Sequence, residues 1–295
     1  MATNENKAID VSNMNGKVCI VTGSNSGIGK ETALALAELD ATVVMVVRNA
    51  ERGEAARSDI VDKTKRNRID LMLCDLSSLD SIRQFAKEFV AKHDRLDVLI
   101  NNAGAAYHKR QVTIDGFEQT LAVNYIGPFL LTHELLPVLK ASAPSRVINL
   151  TSGIHFRAKV DFEDLQNERK YRGMSAYGDA KLMVVMHTYE LARRLEGTGV
   201  SVNVVHPGFA ATNMGSSMGG LRNKIMFKMV RPLQISPREG AETSVYVASS
   251  TEVEGMTGKY FAKKQEQRSS EASYDEEAQK RLWHVTEQLL GLKWT

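Results

Sequence analysis

Residues 17–39 constrain the fold of this chain more than any other stretch. Lys17-Val-Cys-Ile-Val-Thr22 is a short, continuously apolar run. Gly23-Ser24-Asn25-Ser26-Gly27-Ile28-Gly29 follows at once, and residues 30–39 are rich in alanine and leucine at helical spacing. A strand that is apolar on both faces belongs inside a sheet covered on both sides. A glycine-rich turn that feeds such a strand into a helix gathers backbone N–H groups at the positive end of the helix dipole, where a phosphate is attracted. The spacing Gly-x3-Gly-x-Gly differs from the Gly-x-Gly-x-x-Gly fingerprint of dinucleotide sites. A glycine turn can also be a plain tight connection; its place between strand and helix directs this one toward a nucleotide.

The alternation continues along the chain. Apolar runs at 41–47, 69–74, 96–100, 146–151, 200–205 and 259–262 read as further strands, and helical patterns fall at 78–93, 115–140, 236–250 and 275–290. A further helix runs on from residues 175–181 through Leu182, Val185, Tyr189 and Leu191. Strands alternating with helices predict an α/β fold, a doubly wound parallel sheet of about seven strands flanked by helices. Neither a linker nor an internal repeat interrupts the pattern. The expectation is a loose arm at residues 1–15 and a single domain over 16–295.

Composition narrows the function classes. The 295 residues carry 38 basic and 35 acidic side chains, a net charge of +3, which leaves no electrostatic footprint for nucleic acid. The two cysteines, Cys19 and Cys74, lie in strand-like runs and are expected to pack; a disulfide framework or a metal site would need more. The start is polar, and no run reaches the roughly 18 apolar residues of a membrane span. A cytoplasmic protein without a transmembrane anchor is expected.

Ligands of an open parallel sheet bind at the carboxyl ends of its strands, so the residues delivered there are the candidates. After the second strand come Arg48 and, further on, Arg52, where enzymes that prefer NAD place a carboxylate for the ribose 2′-hydroxyl. A guanidinium can instead pair with a 2′-phosphate, which predicts NADP(H) in preference to NAD(H). After the third strand, Asp75-Leu76 offers a carboxylate either to an adenine amine or to the cap of the next helix. Asn101-Asn102-Ala103-Gly104 closes the fourth strand with small residues suited to touching a ligand. The helix over 115–140 contains Gly127-Pro128, which should bend it, and a polar Asn124 among apolar neighbours. That asparagine is either a satisfied core amide or a functional group. Thr151 and Ser152 end the fifth strand; His206-Pro207-Gly208-Phe209-Ala-Ala-Thr212 follows the sixth.

Tyr177 and Lys181 are four residues apart on their helix and therefore share a face. An ammonium beside a phenol favours the phenolate and should lower its pKa from an ordinary value of about 10. Such a phenol can exchange a proton with an alcohol or carbonyl oxygen near neutral pH. Alone, a pair at this spacing is more often a buried ring beside a solvated charge.

Together, Thr22-Gly-x3-Gly-Ile-Gly29, Asn-Asn-Ala-Gly104, Ser152, Tyr177-x3-Lys181 and Pro207-Gly208 resemble the short-chain dehydrogenase/reductase family, over about residues 16–292. Asp-Leu-Gln166, Leu-Ala-Arg-Arg-Leu195 and Arg-Leu-Trp283 resemble its retinol-dehydrogenase-like branch, although the hydrophobic N-terminal anchor of the membrane-bound retinol enzymes is missing from the sequence. The resemblance implies a Rossmann-type fold and hydride transfer between a nicotinamide cofactor and an apolar alcohol or carbonyl. It implies Tyr177 as general acid/base, Lys181 as the group that tunes it and holds the nicotinamide ribose, and Ser152 as the hydrogen-bond donor to the substrate oxygen. Asn124 matches the catalytic asparagine thought to hold a water in a proton relay. Gly23, Ser24, Ser26, Gly27, Ile28, Gly29, Asn102, Ala103 and Gly104 would hold the cofactor's phosphates and centre. Arg48, Asp75 and Leu76 would hold its adenosine half; Thr151, Pro207, Gly208 and Thr212 its nicotinamide half.

Around the substrate, Ser152, Tyr177, His155 and Phe209 are the expected contacts, with Tyr107 and Phe156 shaping the pocket. Residues 213–234 mix Met214, Met218, Met226, Phe227 and Met229 with Arg222, Lys224, Lys228 and Arg231. They suit an adaptable lid over an apolar substrate, and a peripheral membrane contact is the alternative use. The long helices carrying Phe117 and Tyr177 are the candidates for pairing with a second copy. Two other function classes compete: a non-catalytic nucleotide-binding sensor or scaffold, and a nucleotide-sugar epimerase or dehydratase, for whose longer C-terminal domain the chain has little room.

Overall fold

The computed structural model describes residues 12–208 and 235–294. Eight strands form one sheet in the order β3-β2-β1-β4-β5-β6-β7-β8: β1 Val18–Thr22, β2 Thr42–Val47, β3 Ile69–Leu73, β4 Val98–Asn101, β5 Ser145–Leu150, β6 Val200–His206, β7 Tyr260–Ala262 and β8 Gln265–Gln267. The first seven are mutually parallel and β8 is antiparallel to β7. The expected count was about seven. The extra strand is fully exposed and polar, so it carries no apolar signature, and it forms because Lys263 and Lys264 turn the chain back at φ of 52° and 61°.

Helices cover both faces. On one side α1 (Gly27–Glu38), α2 (Ala50–Thr64) and α7 (Pro237–Ser249) pack Leu36, Ile60 and Val247 against the sheet. On the other, α3 (Leu79–Lys92), α5 (Gly127–Ala141), α6 (Gly173–Arg194) and α8 (Glu276–Leu290) contribute Phe85, Phe129, Val185 and Trp283. The start of α7 is a complete capping box in which the Ser236 hydroxyl accepts from the Glu239 N–H and the Glu239 carboxylate accepts from the Ser236 N–H.

Two expectations are corrected here. The single bent helix over 115–140 is instead α4 (Gln119–Leu121), a π turn (Ala122–Ile126) and α5. It starts late because the Asp115 carboxylate accepts the Leu79 N–H at the head of α3, while buried Glu118 accepts the N–H groups of Thr120 and Leu121. The π turn closes where the Gly127 N–H reaches back to the Ala122 carbonyl, and Pro128, lacking an N–H, follows at once. Residues 12–15 do not belong to a loose arm: Met14 is 5% exposed and its N–H donates to the Leu39 carbonyl at 2.7 Å.

Helix α8 lies over the outer face of α5 and α6. Trp283, 1% exposed, packs against Phe129 and stacks on His187, while Arg194 covers its ring at 4.3 Å. Among the described residues no helix is long and apolar enough to cross a membrane.

Candidate active site

The strand order reverses between β1 and β4, and a cleft of about 380 Å³ opens at the carboxyl ends of the strands there. Its walls run from Arg48, Arg52 and Asp75 at one end, past the Gly23–Gly29 turn and the segment Asn102–Gly104, to Thr151, Tyr177, Lys181 and Pro207 at the other.

The central wall is built by close backbone approach. Gly23 has φ +67°, and a Cβ there would stand 2.9 Å from the Ala103 Cα; a Cβ on Gly29 would collide with the Asn102 amide and the Gly23 carbonyl. These are positions only glycine can fill. Thr22 holds the two strand ends in register: its hydroxyl oxygen accepts from the N–H groups of Asn102 and Ala103, both at 3.0 Å, and the Asn102 side chain donates to the Thr22 carbonyl at 2.7 Å. Ser24, also assigned to the cofactor, is fully buried behind the turn and does not line the cleft; among the described residues its hydroxyl has no partner. A glycine cradle at a helix N-terminus, with Gly23, Gly27 and Gly29 lining the cleft, fits a dinucleotide pyrophosphate. Of the residues assigned to the cofactor, Ser26, Gly27, Ile28, Leu76 and Gly104 also line the cleft.

At the β2–β3 end of the cleft Arg48 is exposed just past β2, and Asp75 is the one acidic side chain lining the cleft among the described residues. Of the two uses open to Asp75, the helix cap is not realised. Its Oδ1 accepts from the N–H and hydroxyl of Ser77 at 2.9 and 2.6 Å, while α3 is capped by Ser78, whose hydroxyl accepts from the Ser81 N–H. Asp75 therefore shapes the turn without capping the helix.

At the other end, helix α6 places Tyr177 and Lys181 on one face as their spacing requires, 6% and 3% exposed, with the Lys181 ammonium 5.6 Å from the centre of the Tyr177 ring. Lys181 Nζ donates to the Leu150 carbonyl at 2.9 Å, and the Thr151 hydroxyl donates to the Lys181 carbonyl at 2.8 Å, so the end of β5 and the helix are locked together. The expected lowering of the phenol's pKa is not seen. Burial pushes Tyr177 up to about 12, opposed only by a hydrogen bond with the Ser152 side chain, and burial brings Lys181 down to about 8. Desolvation sets the direction at this site.

Asn124 lies in the π turn, 1% exposed. Its amide donates to the carbonyls of Ala105 and Thr120 at 2.6 and 2.7 Å, and its Oδ1 accepts from the Ala105 N–H at 3.3 Å. A Cβ on Gly104 would come within 2.9 Å of Asn124 Oδ1 and 3.3 Å of Lys181 Nζ, so the asparagine and the lysine converge on that glycine. π turns recur at functional sites, and this one brings Val123 into the cleft wall beside Asn124.

His155, expected to contact substrate, is fully buried; its ring is held between the Ser152 carbonyl and the Ser270 N–H. Phe156 is 53% exposed and Tyr107 lines the cleft. Gly208 has φ +88° and abuts Ile235. Phe209, Thr212 and the segment 213–234 lie outside the described residues. Cys74, expected to pack within its strand, lines the cleft, and so do Asn25, Val46, Val47, Ala105, Val123 and Leu150, none of which the sequence assigns to a ligand.

The model of the short chain dehydrogenase family matches residues 17–220. Retinol dehydrogenase 13 of Mus musculus is 44% identical over 282 residues, 94% of this chain and 84% of that protein. Retinol dehydrogenase 12 of Homo sapiens is 42% identical over 279 residues, 95% and 88% of the two chains. Among solved structures, an uncharacterised protein of Mycobacterium paratuberculosis superposes with a TM-score of 0.79 at 29% identity, covering 97% of both chains. Pseudomonas aeruginosa RhlG, in an active-site complex with NADP, gives 0.66 at 27%, covering 84% of this chain and 94% of its own. A glycine cradle at the switch of a parallel sheet, a tyrosine–lysine helix at the end of the same cleft and these likenesses have one meaning: the chain belongs to the short-chain dehydrogenase family, in its retinol-dehydrogenase-like branch.

Proposed function

We propose that this oxidoreductase uses NADP(H) to interconvert an apolar, retinoid-like alcohol and its carbonyl, working mainly as a reductase. The observation that carries the proposal is that Arg48 and the Tyr177–Lys181 pair line opposite ends of one cleft. The names of the similar retinol dehydrogenases support the alcohol class. The guanidinium at the adenosine end, with no carboxylate where a ribose 2′-hydroxyl would be held, supports NADP(H).

The cofactor, when bound, supplies the hydride. The protein supplies the proton and the charge. With its pKa held at about 12, the Tyr177 phenol is protonated at neutral pH, the form that reduction consumes. It donates that proton to the carbonyl oxygen as negative charge develops there, and the Ser152 hydroxyl donates a second hydrogen bond to the same oxygen. Lys181, with its pKa at about 8, is mostly charged at neutral pH, and its bond to the Leu150 carbonyl holds the ammonium where it stabilises the phenolate left once Tyr177 has given up its proton. Asn124 fixes the loop at Ala105, and its Oδ1 faces the Lys181 side, where it can hold a water on the path by which the proton is replenished.

The test is steady-state oxidation of NADPH and of NADH against a panel of aldehydes and ketones that includes retinaldehyde. Higher kcat/KM with NADPH on apolar carbonyls is expected. Equal or better efficiency with NADH, or no turnover of any apolar carbonyl, would overturn the proposal.

A further inference from the structure

We propose that His155 is a positioning residue for Ser152, tying the serine to the segment that follows β8. The proposal rests on the role given to Ser152 in the reaction above. The imidazole lies in the 3-10 turn Gly153–Arg157 directly after β5, and it is fully buried. The Ser270 N–H donates to its Nε2 at 3.2 Å. A nitrogen that receives a backbone N–H must present a lone pair, so the ring proton sits on Nδ1. That N–H points at the Ser152 carbonyl, 2.7 Å away, which also accepts the His155 backbone N–H at 3.0 Å. Both lone pairs of the Ser152 carbonyl are thus taken by one residue.

The ring has no freedom to turn. Phe156 and Tyr260 pack on it with centroids 4.2 and 5.5 Å away, and burial favours the neutral imidazole. A protonated ring would set an Nε2–H against the Ser270 N–H. On the other side of the serine, Thr151 is held to the Lys181 carbonyl. Ser152 is therefore fixed from one side by the helix that carries Tyr177 and from the other by His155. Ser152 is the donor assigned to the substrate oxygen, so a small rotation of its backbone moves that donor. Misplacement of about 1 Å in such a group can cost on the order of 100-fold in rate.

Two substitutions separate the two ends of the imidazole. Asparagine places an amide N–H near the Nδ1 position and can still donate to the Ser152 carbonyl. Glutamine places its acceptor near the Nε2 position and keeps only the Ser270 contact. His155→Gln is expected to lower kcat about 10- to 100-fold with little change in NADP(H) affinity, and His155→Asn to remain within about threefold of wild type. In a Ser152→Ala background His155→Gln should cost nothing further, because its effect passes through the serine. Melting temperature and NADP(H) binding are measured on every variant. Equal losses for the two His155 variants, or an additional loss on top of Ser152→Ala, would overturn the positioning role. Wild-type kcat in His155→Gln beside an impaired Ser152→Ala sinks that role alone. Wild-type kcat in Ser152→Ala sinks the role of the serine, and the positioning role with it.

Discussion

His187 lies nearly flat on the indole of Trp283, with ring centroids 5.4 Å apart and planes 17° from parallel, and neither of its ring nitrogens has a hydrogen-bond partner among the described residues. The rings of Tyr125 and Phe129 also pack on it, and none of these neighbours is charged in acid. Burial holds the imidazole neutral, bringing its pKa from 6.5 down to about 3.

The sign follows from which state binds the proton. Between about pH 6.5 and 3 the unfolded chain protonates this histidine and the folded chain does not, so stability falls as the pH falls through that window. His206, held near pKa 4 by burial, adds to the same trend. Replacing His187 by leucine should leave stability at pH 7.5 nearly unchanged and flatten the loss between pH 6 and pH 4. Urea melts across that range provide the measurement, and slopes equal to wild type would refute the assignment.

Trp283→Ala removes the largest fully buried side chain from the contact between α8 and the α5–α6 face. A loss of about 3–5 kcal/mol is expected, typical for a tryptophan deleted from a core. Chemical denaturation monitored by far-UV circular dichroism measures it. A loss below about 1 kcal/mol would mean that α8 rests on the face without stabilising it.

Arg48→Ala tests cofactor choice. Loss of a charge-assisted hydrogen bond of about 1.5–3 kcal/mol should raise the KM for NADPH roughly 10- to 100-fold and leave the KM for NADH almost unaltered. Parallel changes in both constants would show that the arginine does not recognise a 2′-phosphate.

Gly104→Ala introduces a methyl group 2.9 Å from Asn124 Oδ1 and 3.3 Å from Lys181 Nζ. Both side chains must shift, so kcat should fall about tenfold or more while the melting temperature changes little, because φ at Gly104 is compatible with alanine. Unchanged kcat would separate Asn124 and Lys181 from the chemistry.

What the sequence made legible was what local spacing dictates. The four-residue separation of Tyr177 and Lys181 put them on one face, the Gly23–Gly29 turn lay between strand and helix, and the helical pattern over 236–250 matches a helix that the structure contains. The π turn at Asn124 was hidden because a single enlarged turn leaves apolar periodicity almost intact. Strand β8 was hidden because an exposed strand has no apolar residues to display. The phenol of Tyr177 was misjudged for a different reason: spacing reveals a neighbouring charge, whereas burial, which decides the direction here, depends on the whole fold. The sequence placed His155 against substrate, whereas its ring is held by the Ser270 N–H, 115 residues away. No local pattern carries a contact of that range.

The cover that α8 provides has a bearing on assembly during synthesis. The face formed by α5 and α6 is complete in sequence by Arg194, yet the indole that seals it arrives only at residue 283. A nascent chain of this protein must carry an unsealed greasy surface through that whole interval. Its vulnerability to sticking or to chaperone capture is greatest late in translation, after most of the sheet has already been made.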